Sequence, residues 1–381
     1  MNTILQQLST NNRKINKIED LFSDGSQYGY TASANSKKIG PRFLRITDIQ
    51  GNVVNWKTVP YCEISEKEKA KYLLKKNDLV FARTGATTGM SYFLDSDLTE
   101  DAVFASYLIR LRFDDHKCDP RFLKYFFQSK NYWGQVRGSL SGSAQPGINA
   151  VTLSKLEVRL PDLKTQKKIT DILDAYDLKI KNNDHIISIV EKIANILFKE
   201  WFIKSQNKEG SDTVELRDIF SFVKGKKPIE TSSEQRDDFL PQILIETFGN
   251  GARTFANTQG MTISDQNDLL MVMDGASSGR IEFGMTGVVG STMAKLSFKK
   301  PIKAIVYFFL KTKEKDIKDG ATGSAIPHTD KEKVYRYTLS LSKNIALYEK
   351  KLEAFIALMR QIQIENQKLT SMKDKLLGRL I

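Results

Sequence analysis

Histidine, cysteine and adjacent prolines are scarce in this 381-residue chain, and each scarcity removes a class of chemistry. Only three histidines occur, His116, His185 and His328, and their spacing suggests neither a His-based metal centre nor a catalytic triad. Two cysteines, Cys62 and Cys118, have neither metal-ligand spacing nor the numbers of a disulfide framework, which suits a reducing compartment. None of the nine prolines adjoins another, so the Asn/Asp-Pro-Pro-aromatic motif of amino-methyltransferases is missing. A GxxxxGK[ST] phosphate loop is missing too. GATTGM at Gly85 has the glycines without the lysine and reads as a turn, and GNGART (249–254) begins like a dinucleotide fingerprint without its third glycine. No carboxylate spacing marks a nuclease cluster, so the sequence predicts a chain without catalysis or metal of its own. The longest purely apolar run, Ala304 to Leu310, falls far short of the ~20 residues a bilayer needs. The N-terminal stretch lacks an apolar core and a small-residue cleavage site; no export signal is expected, and the expectation is a cytoplasmic protein.

Positive charge, by contrast, is abundant: 58 Lys and Arg stand against 45 acids, a formal net charge of +13. A polyanionic partner follows, nucleic acid first and a membrane surface second, with simple solubility charge as the plain alternative.

Two stretches keep helical time. From Lys164 to Phe202, without Pro or Gly, a heptad seam runs through Ile169, Leu173, Tyr176, Ile180, Asn183, Ile187, Val190, Ala194, Leu197 and Trp201. Ile172, Ile186 and Ile193 flank the seam and widen the apolar stripe beyond what one partner helix covers. From about Ser340 to Ile381 a second seam runs from Leu341 through Tyr348, Leu352, Phe355, Met359, Ile362, Asn366, Lys373 and Leu376 to Leu380. Asn183 and Asn366 occupy opposite heptad classes, which antiparallel coils pair. Setting them opposite each other makes partner numbers sum to 549: Ile169 meets Leu380, Tyr176 meets Lys373 and Trp201 meets Tyr348. The alternative is that each helix packs only on its own lobe.

The chain also repeats itself. NDLVFARTGATTG (77–89) matches NDLLMVMDGASSG (267–279) at an offset of 190, IEDLFS (18–23) and Gly51-Asn52 match LRDIFS (216–221) and Gly249-Asn250 at 198, and GSAQP (142–146) matches GSAIP (323–327) at 181. Four blocks in order, each half ending in its own heptad helix, predict a duplicated lobe-plus-helix unit. Each lobe reads as α+β: FLRITDI (43–49), NDLVFAR (77–83), VFASYLIRLRF (103–113) and SKLEVRL (154–160) as strands, a short helix between Asp119 and Gln135, and KAIVYFFLK (303–311) as helix or strand.

Gly- and hydroxyl-rich loops beside basic residues are where a polyanion would be read, because small residues let backbone approach phosphate and Arg can fork onto guanine. In the first lobe these candidates are Arg83, Thr84, Thr87, Thr88, Arg137, Ser141, Ser143 and Gln145. In the second they are Lys224, Lys226, Lys227, Arg253, Ser277, Ser278, Arg280, Thr322 and Ser324. Ordinary hairpin turns with incidental charge are the alternative for any one of them.

The duplicated plan, GSAQPGIN (142–149) followed by LSKLEVRLPDLKTQKKITDILDAYDLKI (153–180), ILFKEWF (196–202) and the terminal KDKLLGRLI closely resembles the specificity subunit of type I restriction-modification enzymes. The resemblance spans nearly the whole chain and weakens in the second lobe, where Ile326 replaces the Gln of GSAQP. It implies an α+β fold of two duplicated target recognition domains (1–161 and 205–338), joined by two long antiparallel coiled-coil helices (162–204 and 339–381) with pseudo-two-fold symmetry. It also implies a bipartite, asymmetric double-stranded DNA target and two methylation subunits docked on the helices, for which Ile172, Ile186 and Ile193 are the candidate contacts. Restriction subunits complete the implied complex. S-adenosylmethionine, ATP and Mg would sit on those partners and none on this chain. A stand-alone DNA-modifying enzyme and a coiled-coil scaffold for proteins are the competing functions; the missing motifs oppose the first, and salt-sensitive duplex binding would exclude the second.

Overall fold

A computed structural model of the chain describes residues 8, 13–140, 147–203, 212–247, 254–322, 327–341 and 343–381. The chain forms two compact units, residues 1–182 with 366–381 and residues 183–365, so each unit takes one half of each long helix.

The first unit contains β1 (Lys14–Lys17), β2 (Phe22–Tyr28), β3 (Leu79–Ala82), β4 (Ser91–Phe93), β5 (Leu108–Phe113) and β6 (Glu157–Leu160). An antiparallel sheet runs β2-β5-β3-β4, and β1 pairs antiparallel with β6. Strand alternation decides what each face buries. Leu79, Phe81, Ile109 and Leu111 turn to the core shared with α1 (Pro120–Phe126) and α2 (Lys130–Leu140), while Val80, Ala82 and Leu108 turn to a second cluster on the opposite face. Both faces are covered, which is why these strands read as apolar runs rather than clean alternation. Phe81 and Phe127 meet edge-on at 4.6 Å. A parallel pair, Arg42–Leu44 with Ala102–Phe104, contributes Leu44, Ala102 and Phe104 to the second cluster.

The second unit repeats this plan. It contains β7 (Asp212–Glu215), β8 (Phe220–Lys224), β9 (Leu269–Val272), β10 (Ile281–Phe283), β11 (Met293–Phe298) and β12 (Thr338–Leu341). The sheet order β8-β11-β9-β10, the β7–β12 pair and a parallel pair of 239–243 with 287–289 reproduce the first unit. The register is reproduced as well: Leu79 faces Leu111 as Leu269 faces Leu296, and Phe22 faces Phe113 as Phe220 faces Phe298. KAIVYFFLK resolves as the start of a helix, Lys303–Asp319 (here α4, counting the long helix Leu163–Phe198 as α3).

The long helices differ from expectation at one end. The C-terminal seam predicts a helix from about Ser340, but Thr338–Leu341 is strand β12, with Leu341 opposite Asp212, and α5 runs from Ile345 to Leu380. The strand wins because β7 supplies a ladder for its backbone, as β1 does for β6. α3 starts where sequence places it: Asp162 accepts the Thr165 N–H at 2.9 Å beside Pro161, and the helix ends in a π-helical turn, Lys199–Ile203.

In the first unit Ile169 and Leu173 of α3 share a core with Leu377 and Leu380 of α5, and the Lys373 ammonium lies 2.8 Å from the Asp177 carboxylate. The sequence sets Lys373 beside Tyr176; its ion pair is with the next residue, since an ammonium gains more from a carboxylate than from a ring. In the second unit Trp201 stacks on Tyr348, centroids 4.6 Å apart and planes within 12°, while Asn183, buried, donates to Glu365 at 2.9 Å. Those two contacts make the helix segments of that unit antiparallel, and the Trp201–Tyr348 layer is the predicted one. Asn366 falls in the first unit, and Asn183 meets the residue preceding it in sequence.

Candidate nucleic-acid interface

The repeated NDL…G segment forms the same device twice. After β3 the chain turns through Gly85 and Gly89, both at positive φ (79° and 86°), and after β9 through Gly275 and Gly279 (103° and 86°). A side chain would be strained at these angles. The Thr88 hydroxyl donates to the Gly85 carbonyl at 2.7 Å, and the Ser278 hydroxyl reaches the Gly275 carbonyl at 2.6 Å. Both hydroxyls are buried, so these two candidates brace the turn from inside instead of facing a ligand.

In each unit the described residues that end the second Gly-rich loop seat on this turn. The Ile148 N–H donates to the Arg83 carbonyl (2.8 Å) beside a Thr84–Gly147 bridge. The Thr329 N–H donates to the Met273 carbonyl (2.7 Å) beside an Asp274–His328 bridge. The two loops that the sequence singled out in each lobe therefore converge.

Their side chains differ. In the first unit the Arg83 guanidinium lies 4.8 Å from the centre of the Tyr28 ring, with one guanidinium nitrogen 3.5 Å from the Ser106 carbonyl and a buried Nε that has no hydrogen-bond partner among the described residues. Thr84 and Thr87 are half-buried on the turn, and Arg137 is exposed on α2. In the second unit Lys224 stands 3.8 Å from Asp274, whose carboxylate lies 2.8 Å from His328 Nδ1. Thr322 exchanges backbone hydrogen bonds with His328, and an open cleft is lined by Lys224, Asp274, Thr322 and His328. Other candidates are engaged within the protein: Arg280 with the Glu282 carboxylate at 3.0 Å, and Lys226 with the Gly260 carbonyl at 2.8 Å. Lys227 is exposed and Ser277 half-buried. Ser141, Ser143, Gln145, Arg253 and Ser324 lie outside the described residues.

A family model described as the type I restriction modification DNA specificity domain matches this chain twice, over residues 10–192 and 208–373. The chain belongs to that family. A type I restriction enzyme specificity subunit of Methanocaldococcus jannaschii, MjaVIII, is 32% identical over 178 residues, covering 44% of this chain and 42% of that protein. The HindI specificity subunit of Haemophilus influenzae is 32% identical over 160 residues, covering 40% of this chain and 34% of that one. The matched stretch is thus less than half the length of either relative. The crystal structure of a type I restriction-modification S subunit from M. genitalium shares the fold, with a TM-score of 0.60 at 17% identity, covering 98% of this chain and 96% of that one.

In this member of the specificity family the flanking isoleucines divide. Ile172 is half-buried, packed against the first unit's core. Ile186 and Ile193 are 43% and 44% exposed, and Ile189 and Ile196, which the seam reading passed over, are exposed beside them. The four fall at helical spacing on one stripe. Tyr28, Tyr107 and His328 are likewise absent from the candidates that the sequence offers. Among the described residues no helix is long and apolar enough to cross a membrane.

Proposed function

We propose that this chain is the sequence-reading, non-catalytic subunit of a type I restriction-modification complex, with each unit reading one half of a bipartite, asymmetric double-stranded DNA target. The observation that carries the proposal is the duplicated turn-and-bridge: one backbone device, present twice in a member of the specificity family, carries different side chains in its two copies. Equal scaffolds with unequal side chains suit two different half-sites, and the net charge of +13 suits the phosphates. The exposed stripe of Ile186, Ile189, Ile193 and Ile196 is the docking face for methylation subunits, two per complex, with restriction subunits joining them. S-adenosylmethionine, ATP and Mg then belong to those partners, and the complex works in the cytoplasm.

Co-expression of the chain with its methylation subunit, followed by sequencing for modified bases, tests this. The expected result is one split, asymmetric motif, methylated only when both subunits are present. Methylation by the chain alone, or an uninterrupted motif, contradicts the proposal. Duplex binding should fall steeply between 50 mM and 200 mM salt as counterions are released.

A further inference from the structure

Strand register sets up a position-by-position comparison of the two turn-and-bridge devices. Tyr28 faces Ile109 in the first unit as Lys224 faces Ala294 in the second. The Arg83 N–H donates to the Tyr107 carbonyl (3.1 Å) as the Met273 N–H donates to the Thr292 carbonyl (2.8 Å). Thr84 bridges Gly147 as Asp274 bridges His328. Five places are therefore shared, and none holds the same residue in both units: Tyr28 and Lys224, Arg83 and Met273, Thr84 and Asp274, Tyr107 and Thr292, Gly147 and His328.

The chemistry of the two sets is unlike. In the first unit the Arg83 guanidinium lies over the Tyr28 ring, and Tyr28 and Tyr107 are 40% and 61% exposed, far above what core tyrosines show. In the second, His328 opens to the cleft, its Nδ1 held by Asp274. A carboxylate only accepts, so Nδ1 carries the hydrogen and Nε2 is left to meet a ligand, as an acceptor when neutral and a donor when protonated. Among the described residues, the charged groups lining the cleft with it are Asp274 on the turn, Lys224 on β8, and Asp330, Lys331 and Glu332 where the next helix starts. Three acids against two lysines leave that surface one negative charge in excess, which opposes phosphate; protonating His328 cancels it.

Resting on the reading that each unit contacts one half-site, we propose that these five shared places determine specificity, and that His328 contacts DNA and makes recognition by the second unit stronger at lower pH. The first unit's set, with no histidine, lacks this dependence.

The test uses the full chain purified with its methylation subunit. A randomised duplex library is selected to find the target, and affinity is then measured between about pH 6 and 8 on duplexes with either half-site scrambled. Wild-type affinity for one half-site should rise several-fold toward pH 6 and that for the other should not. His328→Asn should flatten that rise, cost about tenfold at pH 6 and relax base preference in that half-site only. Tyr107→Ala should alter the other half-site. If His328→Asn leaves the pH profile and both preferences unchanged, the inference is wrong while the half-site reading stands. If no duplex is enriched by the wild-type complex, the half-site reading itself fails. Should His328→Asn not fold, the wild-type pH profile decides: equal profiles on the two half-sites overturn the inference.

Discussion

The two units share strand order, register and an apolar seam along the long helices, yet the polar contacts that tie those helices to the shorter helices beside them differ. In the first, the Gln166 side chain accepts the Asp119 N–H at 2.9 Å and donates to the Pro161 carbonyl at 2.8 Å. A stripe of acids on α3 adds ion pairs: Asp171 and Asp174 with Arg121, Asp174 and Asp177 with Lys124, and Asp177 with Lys373. In the second, a residue 183 positions later, Glu349, accepts the Ala304 and Ile305 N–H groups at 2.8 and 2.9 Å and so caps α4. The same spacing puts Ala354, Ala357 and Arg360 where the first unit has its three aspartates, while buried Leu352 and Ile356 stand where it has buried Ile169 and Leu173. Both units bury an apolar seam of the long helices; the first adds a charged network to it, and the second has a buried carboxylate where the first has an amide. A duplicated fold tolerates this because what must be kept is backbone geometry, and either a neutral amide or a carboxylate can satisfy helix-start N–H groups.

The difference predicts opposite responses to pH. Burial raises Asp177, but Lys373, Lys124 and Tyr125 outweigh it and hold the carboxyl below its usual value. Its contribution is therefore present above the ordinary carboxylate range and is lost as pH falls through the lowered folded value. Burial pushes Glu349 up to about 7, against the pull of its two backbone donors. That contribution is full below the usual carboxylate range and is lost as pH rises through about 7. The largest effect should come from Asp177→Ala, which strips Lys373, Lys124 and Tyr125 of a shared partner: about 2–3 kcal/mol at neutral pH, read as faster hydrogen exchange in 163–182. Glu349→Gln should be next, about 1–2 kcal/mol stabilising near pH 8 and neutral or destabilising near pH 5.5, read in 303–312; equal effects at both pH values would remove the buried-carboxylate explanation. Acidification of the wild type should thus loosen 163–182 and tighten 303–312. Arg360→Ala, at the place matching Asp177, should cost about 1 kcal/mol or less, because its partners, Asn267 and the Phe283 face, are neutral. The smallest change in stability belongs to Ile193→Asp, within about 0.5 kcal/mol on an exposed face, with loss of assembly with the methylation subunit as its readout. Intact assembly would remove the stripe as a docking face.

Much of this was legible in sequence because it is local or periodic. The heptad stripe and the repeated NDL…G turn each depend on neighbours within a few residues. The repeat offsets are met again in space: 84 and 274 differ by 190, 147 and 328 by 181, and each pair forms the bridge of its unit. What escaped depends on strands far apart in sequence. Tyr28 and Tyr107 come to Arg83 only through the pairing of β2, β5 and β3, and Asp274 reaches His328 across 54 residues. His328 had looked isolated because sequence distance was the only ruler. Unlike residues at matched repeat positions were the signal that could have found this set. Hydroxyl content misled at Thr88 and Ser278, since a turn built on left-handed glycines has inward carbonyls to satisfy first.

The central claim is that the two units read two half-sites independently, and exchange of one unit's reading segment tests it most directly. Residues 205–338 are replaced by the corresponding segment of another family member, the chain is co-expressed with its methylation subunit, and modified bases are sequenced. The account predicts that one half of the split motif changes while the other half is retained. A motif changed in both halves, or in neither, would contradict it.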